Sequence, residues 1–293
     1  MRDVSKLQSQ LEREGADEKL VFPLPADPSK WPAIEVDRAV LCAGVLFARS
    51  EEEYIQTNVE WTARVIEALP SECETIVLSS QAAGGPTPKG VAARTESHND
   101  SPITWYGRSK LALEEMLLER FPHRNLKVLR PPMILGPRDS ATLPLFKMAV
   151  SRLRVKPGMR LKEYSFISVD DLVAGIAAVW GTPAAPPRYI SAARSITDME
   201  LIETAAKSMG RAGVTIPVPQ VIVKFLSRIV DMVPALRASA PSLTRDRARD
   251  IWPDRWVVDS GMFREATGWA CGVELEQAID SAREFYRRDG LVG

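Results

Sequence analysis

Two side chains that could transfer a proton lie four residues apart, at Tyr106 and Lys110. In a helix this spacing places both side chains on one face. An ammonium group beside a phenol stabilises the phenolate, so such a tyrosine can exchange a proton with a carbonyl or alcohol oxygen near neutral pH. The lysine could also bind a ribose hydroxyl. The alternative is a half-buried tyrosine beside a solvated lysine, because the spacing alone is common.

Two polar residues that precede this pair could belong to the same site. Ser80 follows a β-rich run, and its hydroxyl could hydrogen-bond the oxygen with which the tyrosine reacts. Asn58 lies on the helix predicted before that run. The alternatives are a turn or helix-capping role for Ser80 and an ordinary surface position for Asn58.

Strands alternate with helices along the chain, which is the pattern of a mostly parallel sheet covered by helices. The predicted strands are Val36–Gly44, Thr75–Leu78, Lys127–Leu129, Ser165–Ser168 and Arg188–Ser191, and the predicted helices are Glu51–Leu69, Tyr106–Phe121, Val169–Trp180, Asp198–Met209 and Glu274–Arg288. Ligands of such sheets bind beyond the carboxyl ends of the strands. We therefore expect Ala43–Gly44, Ser79–Ser80 and Pro131–Pro132, which follow three strand ends, to line one crevice.

Composition argues against several classes of protein. Basic and acidic residues balance at 38 each, which gives no electrostatic reason to expect a nucleic-acid partner. Cys42, Cys73 and Cys271 are odd in number and lack metal-ligand spacing, so we expect reduced thiols and no metal. No run approaches the ~18 apolar residues of a spanning helix, and residues Met1 to Gly15 lack the apolar core of a signal peptide. A cytoplasmic protein without an integral membrane segment is expected.

Several ordered runs of this sequence resemble the NAD-dependent epimerase/dehydratase family, which comprises the extended short-chain dehydrogenases. The runs are Val77–Pro86, Tyr106–Ala112, Leu129–Pro137, Phe166–Leu172 and Thr267–Trp269. The resemblance implies an α/β fold with a Rossmann-like doubly wound parallel sheet and a smaller C-terminal substrate-binding region. Residues 1–139 would form the dinucleotide-binding core, with 163–194 returning to it, and residues 140–162 and 195–293 would mainly bind substrate.

The same resemblance implies a site for NAD or NADP and a small-molecule substrate. Tyr106 would be the acid/base, Lys110 would hold the ribose and tune Tyr106, and Ser80 would orient the substrate carbonyl. The cofactor would also contact Asp27, Cys42, Ala43, Gly44, Asn58 and Pro132. The implied activity is that of an oxidoreductase or epimerase acting on a carbonyl or alcohol group of a nucleotide sugar, a steroid-like compound or another hydrophobic molecule. The family also implies a homodimer through the helices that contain Glu51 and Tyr106.

One departure from the family concerns the cofactor. The N-terminal glycine-rich turn, of the G-x-x-G-x-x-G kind, does not occur in this sequence. Its glycines bring the backbone close to the pyrophosphate, so about 35–40 residues of a mononucleotide-binding half are missing by comparison. The true start could lie upstream, the sequence could be a fragment, or a short form could have lost the cofactor and serve as a non-catalytic binding or scaffold protein. Arg2 falls near the position that selects the cofactor and slightly favours NADP.

A second departure concerns the reaction. Gln81–Ala82 stand where the family's nucleotide-sugar dehydratases carry an Asp-Glu pair, so dehydration is disfavoured and redox chemistry or epimerisation remains open. The family's substrate lid corresponds to Ser140–Lys162 and Ile216–Trp256, which are rich in apolar residues and arginines, Arg247 among them. The alternative for these residues is a helix core and a solvated basic face. Val218–Leu236 could lie on a membrane surface or pack as an amphipathic helix.

Overall fold

The computed structural model describes residues 24–292 except residues 140, 184, 193, 234–235 and 237–242, with only the backbone described at residues 185 and 186. Arg2 lies outside this part. The strands described are β1 (Arg38–Leu41), β2 (Glu74–Leu78), β3 (Leu126–Arg130), β4 (Met133–Leu135), β5 (Leu153–Pro157), β6 (Glu163–Ser168), β7 (Ala185–Tyr189), β8 (Ser195–Thr197), β9 (Val214–Val218) and β10 (Arg255–Trp256).

The helices described are α1 (Glu51–Ile55), α2 (Trp61–Ala68), α3 (Gln81–Gly84), α4 (Trp105–Arg120), α5 (Leu143–Ala149), α6 (Val169–Ala178), α7 (Asp198–Ser208), α8 (Gln220–Met232), α9 (Gly261–Thr267) and α10 (Leu275–Arg288). A π-helical segment, Gln56–Glu60, joins α1 to α2, and 3₁₀ turns occupy Pro28–Lys30 and Arg247–Ile251. None of the helices in the described ranges is long and apolar enough to span a membrane.

The main sheet is parallel, with its strands in the order β1, β2, β3, β7. Its two faces are covered by different helices, because successive residues of a strand point to opposite sides. Val77 of β2 packs in the cluster formed by Ile66 of α2 and Leu113 of α4, whereas Ile76 packs in the cluster with Leu172 of α6 and Phe263 of α9. The expected α/β fold with a doubly wound parallel sheet is therefore confirmed.

Strand β1 forms one edge of the sheet that the structure describes. It pairs with β2, and no strand among the described residues pairs with its other side. Val40 is accordingly 38% exposed, an unusual state for an apolar residue in a covered parallel strand. In the described part of the chain, the strands that would continue a dinucleotide-binding sheet beyond β1 are absent.

Two smaller sheets are formed by strands that follow β3 in the chain. Strand β6 lies between β10 and β4, with β8 antiparallel to it, while β5 and β9 form a separate parallel pair. Helices α5, α7 and α10 enclose a core of their own with Leu135 and Phe166. Asp171 of α6 accepts the backbone N–H groups of Gly272 and Val273, at 2.9 and 3.1 Å, and so fixes the entry to α10.

Most predicted elements are confirmed within a few residues, and one strand is displaced. The last strand of the main sheet, expected at Arg188–Ser191, is β7 and ends at Tyr189. The cause lies in its neighbour, because β3 is followed by Pro131, which has no N–H with which to continue the ladder. The Tyr189 N–H donates instead to the Glu96 carboxylate at 2.9 Å.

Candidate functional site

A cavity of about 500 Å³ opens at the carboxyl ends of β1, β2 and β3. Residues that follow these three strands line it, namely Cys42, Gly44, Ser79, Ser80, Pro131 and Pro132. The predicted crevice at the strand ends is therefore confirmed, although Ala43 is not among the lining residues. Tyr106 and Lys110 line the same cavity.

Tyr106 and Lys110 lie in the first turns of α4. The helix begins at Thr104, whose side chain accepts the Gly107 N–H at 3.2 Å. Lys110 is only 5% exposed, and its Nζ donates to Leu78 O at the end of β2 over 2.9 Å. The alternative of a solvated lysine is therefore wrong, because this ammonium is held against the sheet at the floor of the cavity.

Ser80 is the N-cap of α3, where its Oγ accepts the Ala82 N–H at 3.2 Å. Capping uses an oxygen lone pair and leaves the hydroxyl hydrogen, which can donate to a ligand. Gly107 sets the approach of α4 to this turn, since a Cβ there would lie 2.5 Å from Ala82 O. The capping alternative and the catalytic prediction for Ser80 are therefore compatible.

Asn58 is fully buried in the π-helical segment rather than on the surface, so the surface alternative is wrong. Its Oδ1 accepts the Val45 N–H at 2.8 Å, and its Nδ2 donates to Ser109 Oγ at 3.0 Å. These bonds tie the loop after β1 to helix α4. Asn58 lies directly behind Gly44, because a Cβ on that glycine would be 3.1 Å from Asn58 Oδ1.

Asp27 is not among the residues that line the cavity. It caps the turn Pro28–Lys30, and its carboxylate accepts the Ser29 N–H at 3.1 Å and the Ser29 hydroxyl at 2.9 Å. These hydrogen bonds lower the pKa of Asp27. Contacts of Asp27, Ala43 and Asn58 with a cofactor stay predictions, since none of the three is part of the cavity wall.

Arg247 and Asp250, from the 3₁₀ turn Arg247–Ile251, also line the cavity, and this turn packs at the start of α4, where Asp246 accepts the Trp105 N–H at 3.0 Å. The Arg247 guanidinium carbon lies 5.1 Å from the ring centroid of Tyr106, and its Nη1 is 2.6 Å from Asp250 Oδ2. Burial raises the pKa of Asp250 to about 6, although the Arg247 cation opposes the rise. The sequence indicated only that this region is rich in arginine, and no local spacing links Arg247 to Tyr106.

The remaining wall of the cavity is mainly apolar. It includes Val45, Leu46, Met133, Ile134 and Trp256, with Tyr164 and Thr142 as further polar members. Among the described residues, no group of three or more His, Cys, Asp or Glu side chains is placed to hold a metal ion.

A buried ion-pair network fixes the elements beneath the site. Arg130 at the end of β3 donates to Glu114 of α4 through Nε at 2.9 Å and to Asp100 through Nη2 at 2.7 Å. Ser79, which precedes Ser80, donates to the same Glu114 carboxylate. The network joins β2, β3 and α4 next to the catalytic candidates, and no local sequence pattern indicates it.

The cavity has features that fit the nicotinamide and ribose end of a dinucleotide. A Cβ on Gly44 would lie 3.1 Å from Asn58 Oδ1 and 3.4 Å from Lys110 Nζ, so glycine lets the loop after β1 pack close to both side chains at the cavity. An ammonium has three donors, so the bond from Lys110 to Leu78 O fixes its position while donors remain for ribose hydroxyls. The described residues contain no glycine-rich turn of the kind that holds a pyrophosphate.

Comparison with known proteins relates this geometry to characterised relatives. A ceramide reductase from Caulobacter vibrioides is 26% identical over 253 residues, which are 85% of this chain and 74% of the relative. The structure of RMD from Pseudomonas aeruginosa complexed with NADPH has a TM-score of 0.71 at 16% identity, over 96% of this chain and 94% of the other. A UDP-glucuronic acid 4-epimerase from Bacillus cereus in complex with NAD has a TM-score of 0.73 at 14% identity, over 97% and 86%.

The two structural likenesses show a shared fold at low identity. The model of the NAD dependent epimerase/dehydratase family matches residues 37–191, more than half of the chain, and this range contains β1 to β3, α4 and the predicted Ser80, Tyr106 and Lys110. The chain therefore belongs to the NAD dependent epimerase/dehydratase family.

Proposed function

We propose that this protein catalyses an NAD- or NADP-linked oxidation or reduction at a carbonyl or secondary alcohol of a largely apolar small molecule. The observation that carries the proposal is the buried Lys110, held by Leu78 O beside Tyr106 in the cavity at the strand ends. A buried ammonium is unfavourable unless it has partners, and beyond its bond to Leu78 O Lys110 Nζ has further donors for a ligand in the cavity.

In the proposed reaction each side chain has one task. Tyr106 gives its phenolic proton to the substrate oxygen in reduction and takes it back in oxidation. Ser80 donates a hydrogen bond to the same oxygen and so stabilises the charge that develops there. Lys110 would stabilise the phenolate and hold the ribose, and a nicotinamide held beside Pro132 would supply or accept the hydride.

The wall of the cavity supports an apolar substrate. Met133, Ile134 and Trp256 would contact the body of such a molecule, and Arg247 with Asp250 would bind a polar group near its reacting end. The relative named ceramide reductase supports a lipid-like carbonyl compound as the first class to assay. The Gln81–Ala82 pair supports redox chemistry over water loss, because it provides no carboxylate.

A second candidate is epimerisation of a nucleotide-linked sugar. The specific observation in its favour is the Arg247 guanidinium in the wall, since arginine binds phosphate oxygens well. One of the structural neighbours is named a UDP-glucuronic acid 4-epimerase. Assays of NADH and NADPH consumption with carbonyl-bearing lipids, run beside epimerisation assays with nucleotide sugars, distinguish the two candidates.

The rival from a different class is a non-catalytic binding or scaffold protein of this fold. Calorimetric titration of NADH and NADPH separates it from both enzymes. We expect binding of at least one dinucleotide, with affinity lowered about tenfold or more in Lys110→Met because a charged donor to the ribose is lost. Absence of binding to the whole protein would support the rival.

Tyr106→Phe tests the chemistry itself. We expect turnover to fall by about 10²-fold or more, with the folded structure and dinucleotide binding retained, because only the proton donor is removed. Tyr189→Phe is the matched control: it removes a phenol whose oxygen accepts from Arg130 at 3.1 Å, away from the cavity wall. Unchanged turnover in Tyr106→Phe would contradict the assignment.

Two further proposals concern organisation. We propose that the core within residues 1–139 and 163–194 binds the dinucleotide and that residues 140–162 and 195–293 mainly shape the substrate side, where Arg247 and Trp256 lie. We also propose a homodimer through α1 and α4, where Leu118 is exposed on α4. Sedimentation of wild type beside Leu118→Glu tests the dimer.

A further inference from the structure

In the strand pair β5–β9, apolar side chains face the solvent and charged side chains face inward, the reverse of an ordinary surface sheet. In the parallel register Leu153 lies beside Val214 and Val155 beside Ile216, and all four side chains are exposed, Val214 by 64%. The alternate residues of β5, Arg154 and Lys156, are buried. The apolar face of this small sheet therefore points outward and the cationic face inward.

The reversal is fixed by partners on the inner face. Lys156 Nζ donates to Arg160 O at 2.6 Å and lies 3.0 Å from Asp198 Oδ2. Arg154 Nη2 donates to Arg211 O at 2.7 Å. A register shift of one residue would turn the apolar side chains inward, but Arg154 and Lys156 would then lose their hydrogen-bond and ion-pair partners. These partners therefore keep the apolar face of the pair in the solvent.

Helix α8 follows β9 after a single residue, Pro219, and adds a second exposed apolar face. Its buried stripe consists of Val223, Ser227 and Val230. The opposite arc is also apolar and exposed, with Val221, Ile222, Phe225, Leu226 and Met232, of which Phe225 is 59% and Met232 81% exposed. An exposed apolar patch of this kind, bordered by the exposed Lys224 and Arg228, is typical of a surface that binds another protein or a membrane.

Charge identifies the partner that fits this surface. The segments 151–162 and 211–233 contain eight Lys or Arg and one Asp, although the whole chain is balanced at 38 each. The exposed cations are Arg152, Arg160, Arg211, Lys224 and Arg228. Asp254 lies 3.2 Å from Arg160 and offsets its charge, and Asp231, which accepts the Arg245 N–H at 3.1 Å, is the one carboxylate of these segments.

We propose that α8 and the β5–β9 pair form a docking surface for a bilayer that contains anionic phospholipid. Apolar side chains would enter the acyl boundary while the flanking Lys and Arg contact phosphate and carboxylate headgroups. A second copy of the chain fits less well, because it would bring two cationic surfaces together. The surface exists whatever the reaction, so this inference goes beyond the proposed function.

The docking surface adjoins the cavity. Helix α8 packs against the turn Arg247–Ile251, whose Arg247 and Asp250 line the cavity wall, and Lys224 Nζ lies 5.9 Å from the ring centroid of Trp252, which follows that turn. Docking would therefore bring the substrate side of the cavity close to the lipid surface. An apolar substrate could then enter from the membrane.

Sedimentation with vesicles tests the proposal on the whole protein. We expect binding to vesicles of phosphatidylcholine with about one-third phosphatidylglycerol, weak binding to phosphatidylcholine alone, and release by high salt. Phe225→Glu should lower partitioning about tenfold or more, and Lys224→Glu with Arg228→Glu should remove the preference for the anionic lipid. Val173→Glu, at an exposed valine of α6, is the matched control and should bind as wild type does.

Two results would overturn the proposal. One is failure to bind anionic vesicles under conditions in which the protein is folded by circular dichroism. The other is equal partitioning of Phe225→Glu and Val173→Glu. If sedimentation equilibrium instead shows a dimer that only Phe225→Glu dissociates, with no vesicle binding, the surface is an interface between copies and the bilayer is excluded. Failure of the catalytic assignment would appear separately, as unchanged turnover in Tyr106→Phe.

Discussion

The guanidinium carbon of Arg247 lies 5.1 Å from the ring centroid of Tyr106, in the first turn of α4. The two residues are far apart in the chain, and their contact joins the C-terminal part of the protein to the predicted acid/base. Arg247 also lies 5.6 Å from the ring centroid of Phe47 and forms the ion pair with Asp250. One planar cation thus contacts the Tyr106 ring, the loop after β1 and Asp250 in the cavity wall.

Arg247→Lys should therefore impair catalysis with little effect on folding. Lysine keeps the charge but loses the flat guanidinium, and a cation over an aromatic face contributes roughly 0.5–2 kcal/mol. We expect kcat/KM to fall by about 3- to 30-fold. Steady-state kinetics also locate the effect: a lower kcat would indicate that Arg247 positions Tyr106, and a higher KM would indicate contact with substrate.

Arg249→Lys is the matched control, since Arg249 lies in the same turn with its side chain 57% exposed. Its kinetics should equal those of wild type. Equal kinetic constants for the Arg247 and Arg249 variants would show that the contact with Tyr106 has no catalytic role.

Asp250 should make stability depend on pH in an unusual direction. Because burial raises its pKa to about 6 in the folded protein, the folded state binds this proton more tightly than the unfolded state does. The protonated Asp250 therefore stabilises the folded protein fully below about pH 4, and this stabilisation is lost as the pH rises through 6. The free energy of unfolding falls by at most about 3 kcal/mol from this cause. Asp250→Asn removes this loss.

The measurement is urea unfolding of both proteins from pH 4 to pH 7. The variant's free energy of unfolding, minus that of wild type, should increase across this window. Asp254→Asn is the control, at a half-exposed carboxylate that pairs with Arg160. Its free energy of unfolding, minus that of wild type, should vary by less than about 1 kcal/mol over the same pH range. A flat difference for Asp250→Asn would show that its carboxyl titrates alike in the folded and unfolded states.

The sequence predicted the parts of the fold that carry local signals. Strand β2 and helix α4 follow from apolar runs and helical periodicity, and the three strand ends converge as parallel topology requires. The same reasoning placed Ser80, which comes shortly after β2, and Tyr106 and Lys110, which lie in the first turns of α4. Their catalytic roles stay predictions until the variants are assayed.

What the sequence missed depends on contacts between distant residues. Asn58 is polar and so was open to a surface interpretation, yet its amide is buried because it bonds the backbone of Val45. Strands β5 and β9 were not predicted, since Arg154 and Lys156 occupy positions that are normally apolar. Arg247 could not be assigned to the site, because nothing local records which element it faces.

Gly107 should be required for the contact between α3 and α4. Alanine is the better helix former by about 1 kcal/mol, but its Cβ would lie 2.5 Å from Ala82 O, a backbone atom that cannot move without displacing Ser80. We expect Gly107→Ala to lower the free energy of unfolding by about 1–3 kcal/mol and kcat about tenfold or more. Gly272→Ala, whose Cβ would meet no atom within 4 Å, should leave both unchanged. A Gly107→Ala protein as active as wild type would refute the claim that this contact sets the distance from Ser80 to Tyr106.

The last prediction concerns the buried pair Glu114 and Arg130. Glu114→Ala removes the carboxylate that accepts from Arg130 Nε at 2.9 Å and from the Ser79 hydroxyl, leaving a buried guanidinium with less compensation. Breaking one side of such a pair lowers stability by about 3–5 kcal/mol, although Asp100, which also binds Arg130, should moderate the loss. Thermal and urea unfolding measure it directly.

Glu67→Ala provides a control with the same chemical change on the surface. Glu67 pairs with Arg120 of α4 at 2.6 Å, but both side chains are more than 40% exposed, and exposed pairs contribute about 0–1 kcal/mol. If Glu114→Ala lowers stability no more than Glu67→Ala does, the network does not hold β2, β3 and α4 together. If stability falls as expected, Glu114→Gln distinguishes charge from hydrogen bonding, because the amide can still accept from Arg130 while carrying no charge. If Glu114→Gln is more stable than Glu114→Ala but has a lower turnover than wild type, the carboxylate also positions Ser79, and through it Ser80, for the reaction.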